Sequence, residues 1–282
     1  MTAVSRSMGE STPEEFGFAA FARSPFYVKV NESLVDLSHV HPGQRVVDLA
    51  CGTGGVTQLI LEKLKGARES MVIGIDLSAS ALRQARADVK SASSAMVQFV
   101  QGQAEQLSHL VQESVDAVVF CNAIHLVKDK ERLIDEISHT LRGGGVFAFN
   151  TSFFEGSHPP ESEQFYRRWL FRSLRILRSK YGLSPSKAEK VEARQHLTPE
   201  EYVKLLKEEG FQVIEQRITT VQVPLEGWVT ISQYEDWIRG IMPGVPLKEA
   251  SDSLKEAAAQ VFEEMKVSFI PRNWLEMVAA RP

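Results

Sequence analysis

Two apolar runs of this sequence end in residues whose types and spacing suit the binding of a nucleoside. The first run leads through Asp48 and Ala50 into a turn that contains Gly52 and Gly54, and the next apolar run ends in Asp76. In open α/β sheets, ligands bind outside the carboxyl ends of the strands, where glycines allow close backbone approach and a carboxylate accepts hydrogen bonds from ribose hydroxyls. The spacing therefore predicts a nucleoside-binding crevice at the carboxyl ends of two parallel strands.

The residues around the glycine turn indicate which nucleoside this crevice binds. A dinucleotide-binding turn carries a third glycine where the pyrophosphate meets a helix N-terminus, but this sequence has Thr57 at that position. Asp48 would repel the phosphates of a dinucleotide and would attract a ligand that carries an ammonium and a sulfonium. We therefore expect S-adenosylmethionine as the cofactor. A nicotinamide-dependent oxidoreductase is the alternative, because Asp76 would serve its ribose equally well.

These residues, together with three later segments, resemble the class I S-adenosylmethionine-dependent methyltransferases. Residues 48–54 are similar to the glycine-rich first motif of that family, and Asp76 is similar to its ribose-binding acid. The later segments follow in the order of the adenine-contacting segment, the fourth strand and the fifth strand: residues 102–107, 115–123 and 141–149. The resemblance implies an α/β, Rossmann-like fold with a mostly parallel seven-stranded sheet, an antiparallel C-terminal edge and helical insertions.

The resemblance also implies which residues hold the cofactor. They are Asp48, Ala50, Gly52, Gly54, Asp76, Leu77, Gln103, Ala104, Glu105 and Asn122. Two of them depart from the family pattern, since Ala50 stands where glycine is usual and Gln103 stands where aspartate is usual. A tight turn can absorb the first change, and the side-chain carbonyl of Gln103 can still accept a hydrogen bond from the adenine amino group.

His125 is the candidate catalytic residue, because it follows the predicted fourth strand where the methyl group should point. An ordinary imidazole titrates near neutral pH and can abstract a proton from an acidic carbon or a hydroxyl. The segment 122–125 also resembles the Asn-x-x-His element of polyketide-type C-methyltransferase domains, in which the histidine is the base. Their partner acid is replaced here by Asn150, so Glu155 is the candidate acid. The alternative is that His125 packs and shapes the pocket.

The domain organisation follows from the alternation of strands and helices. We expect a flexible tail at residues 1–15 and one methyltransferase domain over residues 16–282, with helical cap insertions at about 152–196 and 225–270. Among the predicted elements are helices over 24–37, 79–89, 161–181 and 198–210, and strands over 212–223 and 273–280. The last two strands are expected to form the antiparallel edge.

The insertions are expected to determine the acceptor, because added loops and caps carry specificity in such folds. They are rich in aromatic residues, which either pack the cap onto the core or line an apolar acceptor pocket. We therefore expect C- or O-methylation of a small, apolar or aromatic metabolite. A non-catalytic S-adenosylmethionine-binding or scaffold protein is the alternative. Arg168, Arg172 and Arg175 recur at helical spacing and form either an anion-binding stripe or a solvated helix face.

Composition limits the remaining classes of function. The 282 residues are 43% hydrophobic, which is enough for one domain with insertions. The net charge of −4 lacks the basic footprint of a nucleic-acid-binding protein. Two cysteines without metal-ligand spacing predict reduced thiols and no metal site. The polar N-terminus and the lack of long apolar stretches favour a cytoplasmic protein without integral membrane association, either a monomer or a homodimer.

Overall fold

The computed structural model describes residues 16–89, 95–186 and 196–282. The tail expected at residues 1–15 lies outside these ranges. The strands are β1 (Arg45–Leu49), β2 (Met71–Asp76), β3 (Met96–Gln101), β4 (Val115–Cys121), β5 (Leu141–Thr151), β6 (Gln212–Pro224) and β7 (Phe269–Ala280). The helices are α1 (Ala19–Ala22), α2 (Pro25–Leu37), α3 (Gly55–Lys63), α4 (Ala79–Asp88), α5 (Leu107–Leu110), α6 (Lys130–Thr140), α7 (Pro160–Tyr181), α8 (Pro199–Glu208), α9 (Leu225–Ile231), α10 (Glu235–Ile241) and α11 (Leu247–Met265).

The strands form one seven-stranded sheet in the order β3-β2-β1-β4-β5-β7-β6. The first five pair in parallel, and β7 lies antiparallel between β5 and β6. The chain order reverses next to β1, which has β2 on one side and β4 on the other. Ligands of open α/β sheets bind at such a switch point. The predicted Rossmann-like sheet with an antiparallel C-terminal edge is confirmed.

Helices cover both faces of the sheet and make two buried clusters with it. On one face, Leu34 of α2 and Ile60 of α3 pack with Val46 of β1. On the other face, Leu133 of α6 packs with Phe149 of β5 in the larger cluster. Because both faces are covered, β1, β2 and β4 consist mainly of buried aliphatic residues, as parallel strands do. This rigid core holds the strand ends in fixed positions.

The inserted helices form a third cluster above the carboxyl ends of the strands, which we call the cap. Phe165 and Trp169 of α7 pack against Trp228 of α9 and Phe262 of α11. The indole Nε1 of Trp169 donates a hydrogen bond of 2.8 Å to the carbonyl of Leu254. The buried aromatic rings thus hold the cap helices to one another.

Two arginines of the predicted stripe have a structural partner in the cap. Arg168 and Arg172 of α7 both pair with Glu264 of α11, at N···O distances of 2.6 and 2.5 Å. These half-exposed pairs stabilise α7 against α11 by modest amounts, as is usual for solvated ion pairs. Their contacts favour helix docking over anion binding for these two side chains.

The C-terminal part of the chain differs from the predicted element bounds. The second insertion contains the three helices α9, α10 and α11, and β7 begins at Phe269 rather than at residue 273. Pro271 lies inside this strand, although a proline usually marks the end of a strand because it lacks an N–H. Here β5 pairs with β7 only as far as Leu275. The Asn273 N–H points away from β6 and donates to Ser157, and the Pro271 nitrogen, two residues earlier, faces the same side, so its missing donor costs no bond to β6.

The N-terminus of α8 gives a direct test of local folding. The Thr198 hydroxyl accepts a hydrogen bond from the Glu201 N–H at 3.1 Å, and the Glu201 carboxylate accepts one from the Thr198 N–H at 2.7 Å. We expect Thr198→Ala to lower the free energy of unfolding by about 1 kcal/mol, because it removes one side of this capping box. Urea unfolding measures the change. Glu200→Ala, in the same helical turn but outside the box, should cost clearly less, and equal losses would contradict the capping role.

Candidate functional site

A cavity of about 740 Å³ opens at the carboxyl ends of β1, β2 and β4, beneath the cap. Its volume lies in the range of roughly 300–1,000 Å³ that is typical of small-molecule sites. At one end, the cavity is lined by Gly52 of the glycine turn and by Asp76 at the end of β2. At the other end, it is lined by aromatic residues, most of them from the cap. The sequence-predicted residues that line it are Ala50, Gly52, Asp76, Asn122 and His125.

Asp76 joins the turns that follow β1 and β2. Its Oδ2 accepts a hydrogen bond from the Gly52 N–H, and its Oδ1 accepts one from the Ser78 N–H, both at 2.8 Å. Gly52 has a φ of +54°, and a Cβ added there would meet no other atom within 4 Å. Because Gly52 lines the cavity, its missing side chain leaves space for a ligand to approach the backbone. Ala50 also adopts a left-handed conformation, with φ +56°.

Gly54 has a different role from Gly52. Its φ is +85°, and a Cβ there would lie only 2.6 Å from Val89 Cγ2 and 3.3 Å from Ala85 Cβ. Gly54 is not part of the cavity wall. Because Gly54 has no side chain, the turn can pack closely against α4. A larger residue at this position would disturb that packing before it affected a ligand in the cavity.

Asp48 is buried behind the glycine turn and does not line the cavity. Its Oδ2 accepts a hydrogen bond of 2.5 Å from the Thr57 hydroxyl, while its Oδ1 has no partner among the described residues. Burial raises the pKa of Asp48 to about 7, and the Thr57 hydrogen bond opposes that rise. The sequence argument missed Thr57 as the partner of Asp48, although Thr57 lies in the first turn of α3, directly after the glycine turn.

The predicted adenine-contacting residues lie next to the cavity but outside its wall. Gln103 precedes a short 3₁₀ turn that contains Ala104 and Glu105, and the preceding Gly102 N–H donates to the Asp76 carbonyl at 3.1 Å. Leu77 is 63% exposed. The segment is therefore tied to Asp76 through its backbone and borders the outer side of the site.

Asn122 and Asn150 form a buried hydrogen-bond network where β4 and β5 end. Asn150 Oδ1 accepts a hydrogen bond from the Asn122 N–H at 2.8 Å, and Asn150 Nδ2 donates to Asn31 Oδ1 at 3.1 Å. Asn122 Oδ1 accepts from the Ser152 N–H at 2.9 Å. An amide at position 150 both donates and accepts here, which a carboxylate cannot do. This explains why an asparagine occupies the position where the resemblance expects an acid.

His125 lies in the cavity wall on a short 3₁₀ turn after β4 and is only 5% exposed. Its Nδ1 lies 3.2 Å from the Thr151 hydroxyl, and its ring stacks on Phe153 with the ring centroids 4.1 Å apart. The candidate acid Glu155 is exposed. Thr151 and Phe153 therefore orient the imidazole, and neither residue was singled out for that role from the sequence.

The far end of the cavity is aromatic and contains one cationic group that the sequence argument missed. Phe26, Phe153, Trp228, Tyr234, Trp237 and Trp274 line it together with Arg272. Arg272 is an isolated arginine in the last strand and belongs to no recognisable motif, so no sequence signal marks it. The aromatic residues of the insertions are therefore divided between the cavity wall and the interior of the cap, where Phe165 and Trp169 are buried.

The described ranges contain neither a cluster of metal-ligating side chains nor a membrane-spanning helix. No group of three or more His, Cys, Asp or Glu side chains there could hold a metal ion. No described helix has both the length and the apolar character that crossing a bilayer requires.

Comparison with known proteins identifies related sequences. The family described as "Methyltransferase domain" matches residues 40–210. "Probable S-adenosylmethionine-dependent methyltransferase CRG1" of Saccharomyces cerevisiae is 35% identical over 117 residues, which are 40% of this chain and 38% of that protein. "Ubiquinone/menaquinone biosynthesis C-methyltransferase UbiE" of Legionella pneumophila is 31% identical over 129 residues, which are 44% of this chain and 50% of UbiE. The chain thus matches half or less of the length of these relatives.

A solved structure gives the fold independently. The S-adenosylmethionine-dependent methyltransferase of Mesorhizobium loti superposes with a TM-score of 0.51 at 20% identity, covering 93% of this chain and 100% of the other. At this identity the likeness concerns the fold alone.

The raised pKa of Asp48 predicts how the stability of the ligand-free protein depends on pH. The folded-state pKa of about 7 exceeds the ordinary value of 3.8, so the folded protein holds the extra proton. This contribution is complete below the ordinary pKa and is lost as pH rises through the folded-state pKa, with a total of about 4 kcal/mol.

Urea unfolding from about pH 4 to about pH 8 tests this with Asp48→Asn, which stays neutral and can still accept from Thr57. The variant should lose less stability than the wild type over that range. Glu69→Gln, at an exposed carboxylate before β2, is the control. Parallel pH profiles for wild type and Asp48→Asn would show that folding does not raise the pKa of Asp48.

Proposed function

The chain belongs to the class I S-adenosylmethionine-dependent methyltransferases, and we propose that it transfers a methyl group from this cofactor to a small metabolite with an apolar or aromatic body. The observation that carries this proposal is the continuous cavity, which joins the glycine turn and Asp76 to an aromatic far wall. When bound, the cofactor supplies an electrophilic methyl group on a sulfonium.

The strand-end residues fit the cofactor that the family uses. Each oxygen of Asp76 accepts one backbone N–H and keeps further acceptor capacity, which suits the two ribose hydroxyls. Gly52 leaves open space at the turn. Asp48 places a carboxylate with an unpartnered oxygen behind that turn, and a nearby cation would favour its ionised form. Asp76 and Gly52 would hold the nucleoside, and the charge of Asp48 would attract the positively charged amino-acid part from behind the turn.

The aromatic wall supports an acceptor with an apolar body, because such surfaces bind planar and apolar groups. The relatives named as ubiquinone/menaquinone biosynthesis C-methyltransferases support carbon as one candidate methylated atom, and oxygen is the other. Methyl transfer is an in-line displacement that gains chiefly from alignment and from the exclusion of water. Within this proposal, the cap excludes water, and His125 takes a proton from the acceptor.

Gly52 provides the test of the cofactor site. We expect Gly52→Ala to weaken S-adenosylmethionine binding by about tenfold or more, because its Cβ would enter the space at the turn. Calorimetry measures the affinity. Gly182→Ala is the control, since Gly182 has a similar φ of +69° and equally free surroundings but lies at the end of α7, away from the cavity. Equal affinities for the two variants would place the cofactor elsewhere.

His125 provides the test of the chemistry. If it is the general base, His125→Gln should lower turnover by about a hundredfold or more and leave cofactor affinity nearly unchanged. Release of S-adenosylhomocysteine from a panel of small phenols and carbon acids measures turnover. The pH profile of the variant should also lose its limb near neutral pH.

Other results of this experiment would change the interpretation. A raised KM with an intact pH limb would make His125 a positioning residue. Tight cofactor binding by the wild type without turnover on any acceptor of the panel would favour a non-catalytic S-adenosylmethionine-binding protein.

A further inference from the structure

Arg272 is a buried cation in the wall of the cavity, at the end away from the glycine turn. The side chain is only 5% exposed. Its Nη1 donates to the Tyr166 hydroxyl at 2.6 Å, and its Nη2 donates to the Ser152 carbonyl at 2.7 Å. Its Nε is buried without a hydrogen-bond partner among the described residues. A guanidinium has five N–H donors, so this one is only partly satisfied by the protein.

The charge of Arg272 has no counter-ion within the described part of the chain. The buried acid on the same strand, Glu276, lies about 13 Å further along β7 and is paired with Arg217 at 3.0 Å. The acids of α10 at the cavity wall are also engaged, since Glu235 pairs with Arg239 and Asp236 accepts from the Tyr234 hydroxyl. A buried charge without a partner is costly, so an opposite charge supplied by a ligand would be strongly favoured.

The titratable groups next to Arg272 are neutral at physiological pH. Burial, together with the Arg272 charge, lowers the pKa of His158 to about 4. Burial raises the pKa of Tyr166, which accepts the hydrogen bond from Arg272. Neither side chain therefore compensates the guanidinium charge.

Aromatic rings surround the guanidinium. Its central carbon lies 4.9 Å from the Phe153 ring centroid and 6.0 Å from those of Trp237 and Trp274. Phe153 also stacks on His125, so one aromatic ring contacts both the cation and the candidate base. A ligand bound to Arg272 would therefore lie close to His125, because the same Phe153 ring contacts both side chains.

We propose that Arg272 binds a carboxylate on the acceptor and thereby selects small carboxylic acids with an apolar or aromatic body. The free donors of a single guanidinium suit a carboxylate, whose two oxygens match two parallel N–H groups. The three rings around the guanidinium, Phe153, Trp237 and Trp274, supply no second cation for a phosphate dianion. The inference rests on the proposed methyltransferase function and specifies its substrate class.

Binding of matched probe pairs tests this proposal. Benzoate, cinnamate and 4-hydroxybenzoate are each compared with the corresponding amide, which has nearly the same shape without the charge, in protein saturated with S-adenosylhomocysteine. Calorimetry or ligand-detected NMR should show at least one carboxylate binding about tenfold or more tightly than its amide. Arg272→Met should abolish that preference, and Arg272→Lys should keep part of it. Arg178→Met, at an exposed position of α7 outside the cavity wall, should keep it fully.

The other possible results would overturn or change the proposal that Arg272 binds a carboxylate. No preference in any pair for the wild type, or an unchanged preference in Arg272→Met, would overturn the proposal. Tighter binding of phenyl phosphate than of benzoate, lost in Arg272→Met, would replace the carboxylate by a phosphate monoester. If Arg272→Met does not fold, the wild-type pairs and Arg272→Lys still decide. Failure to bind S-adenosylhomocysteine would instead contradict the proposed function and is measured separately.

Discussion

The carboxylate of Asp76 accepts one backbone N–H from the turn after β1 and one from the turn after β2. Bonds of this kind, from a carboxylate to backbone donors, are stronger than those between neutral groups. They fix two strand ends with respect to each other at the point where the strand order reverses. Gly52 can then leave open space toward the cavity because its backbone is already held in place. The cavity end that fits a nucleoside depends on this arrangement.

The parallel part of the fold could be predicted because its signals are local. Val46 and Val47 continue into Asp48 and the glycine turn, and this sequence order alone fixes which end of β1 faces the ligand. The extent of β7 could not be predicted, because it depends on pairing between residues such as Val223 and Ile270, which are far apart in the sequence. A proline inside that strand is tolerated because its nitrogen faces the side on which the neighbouring strand β5 has already ended.

The candidate site shows the same division between local and long-range information. Gly52 and Gly54 belong to one motif, yet their missing side chains face a cavity and a helix respectively, which only the packing of α4 reveals. Position 150 carries an amide in place of the expected acid because its side chain both accepts from the Asn122 N–H and donates to the Asn31 side chain. These partners come from different parts of the sequence. Arg272 has no sequence signal, since its role arises from the cap folding over it. The assignment of individual cofactor contacts stays a prediction.

The charges of the cavity suit the two proposed ligands in opposite ways. Asp76 and, behind the turn, Asp48 lie at the end that fits a cationic cofactor, whereas Arg272 lies among the aromatic rings of the acceptor end. A sulfonium and a carboxylate would each meet the opposite charge at its own end, so the two ligands would be oriented before reaction. Low-dielectric walls strengthen such interactions. His125, which stacks on the same Phe153 ring that contacts Arg272, would then lie beside the acceptor end of the cavity.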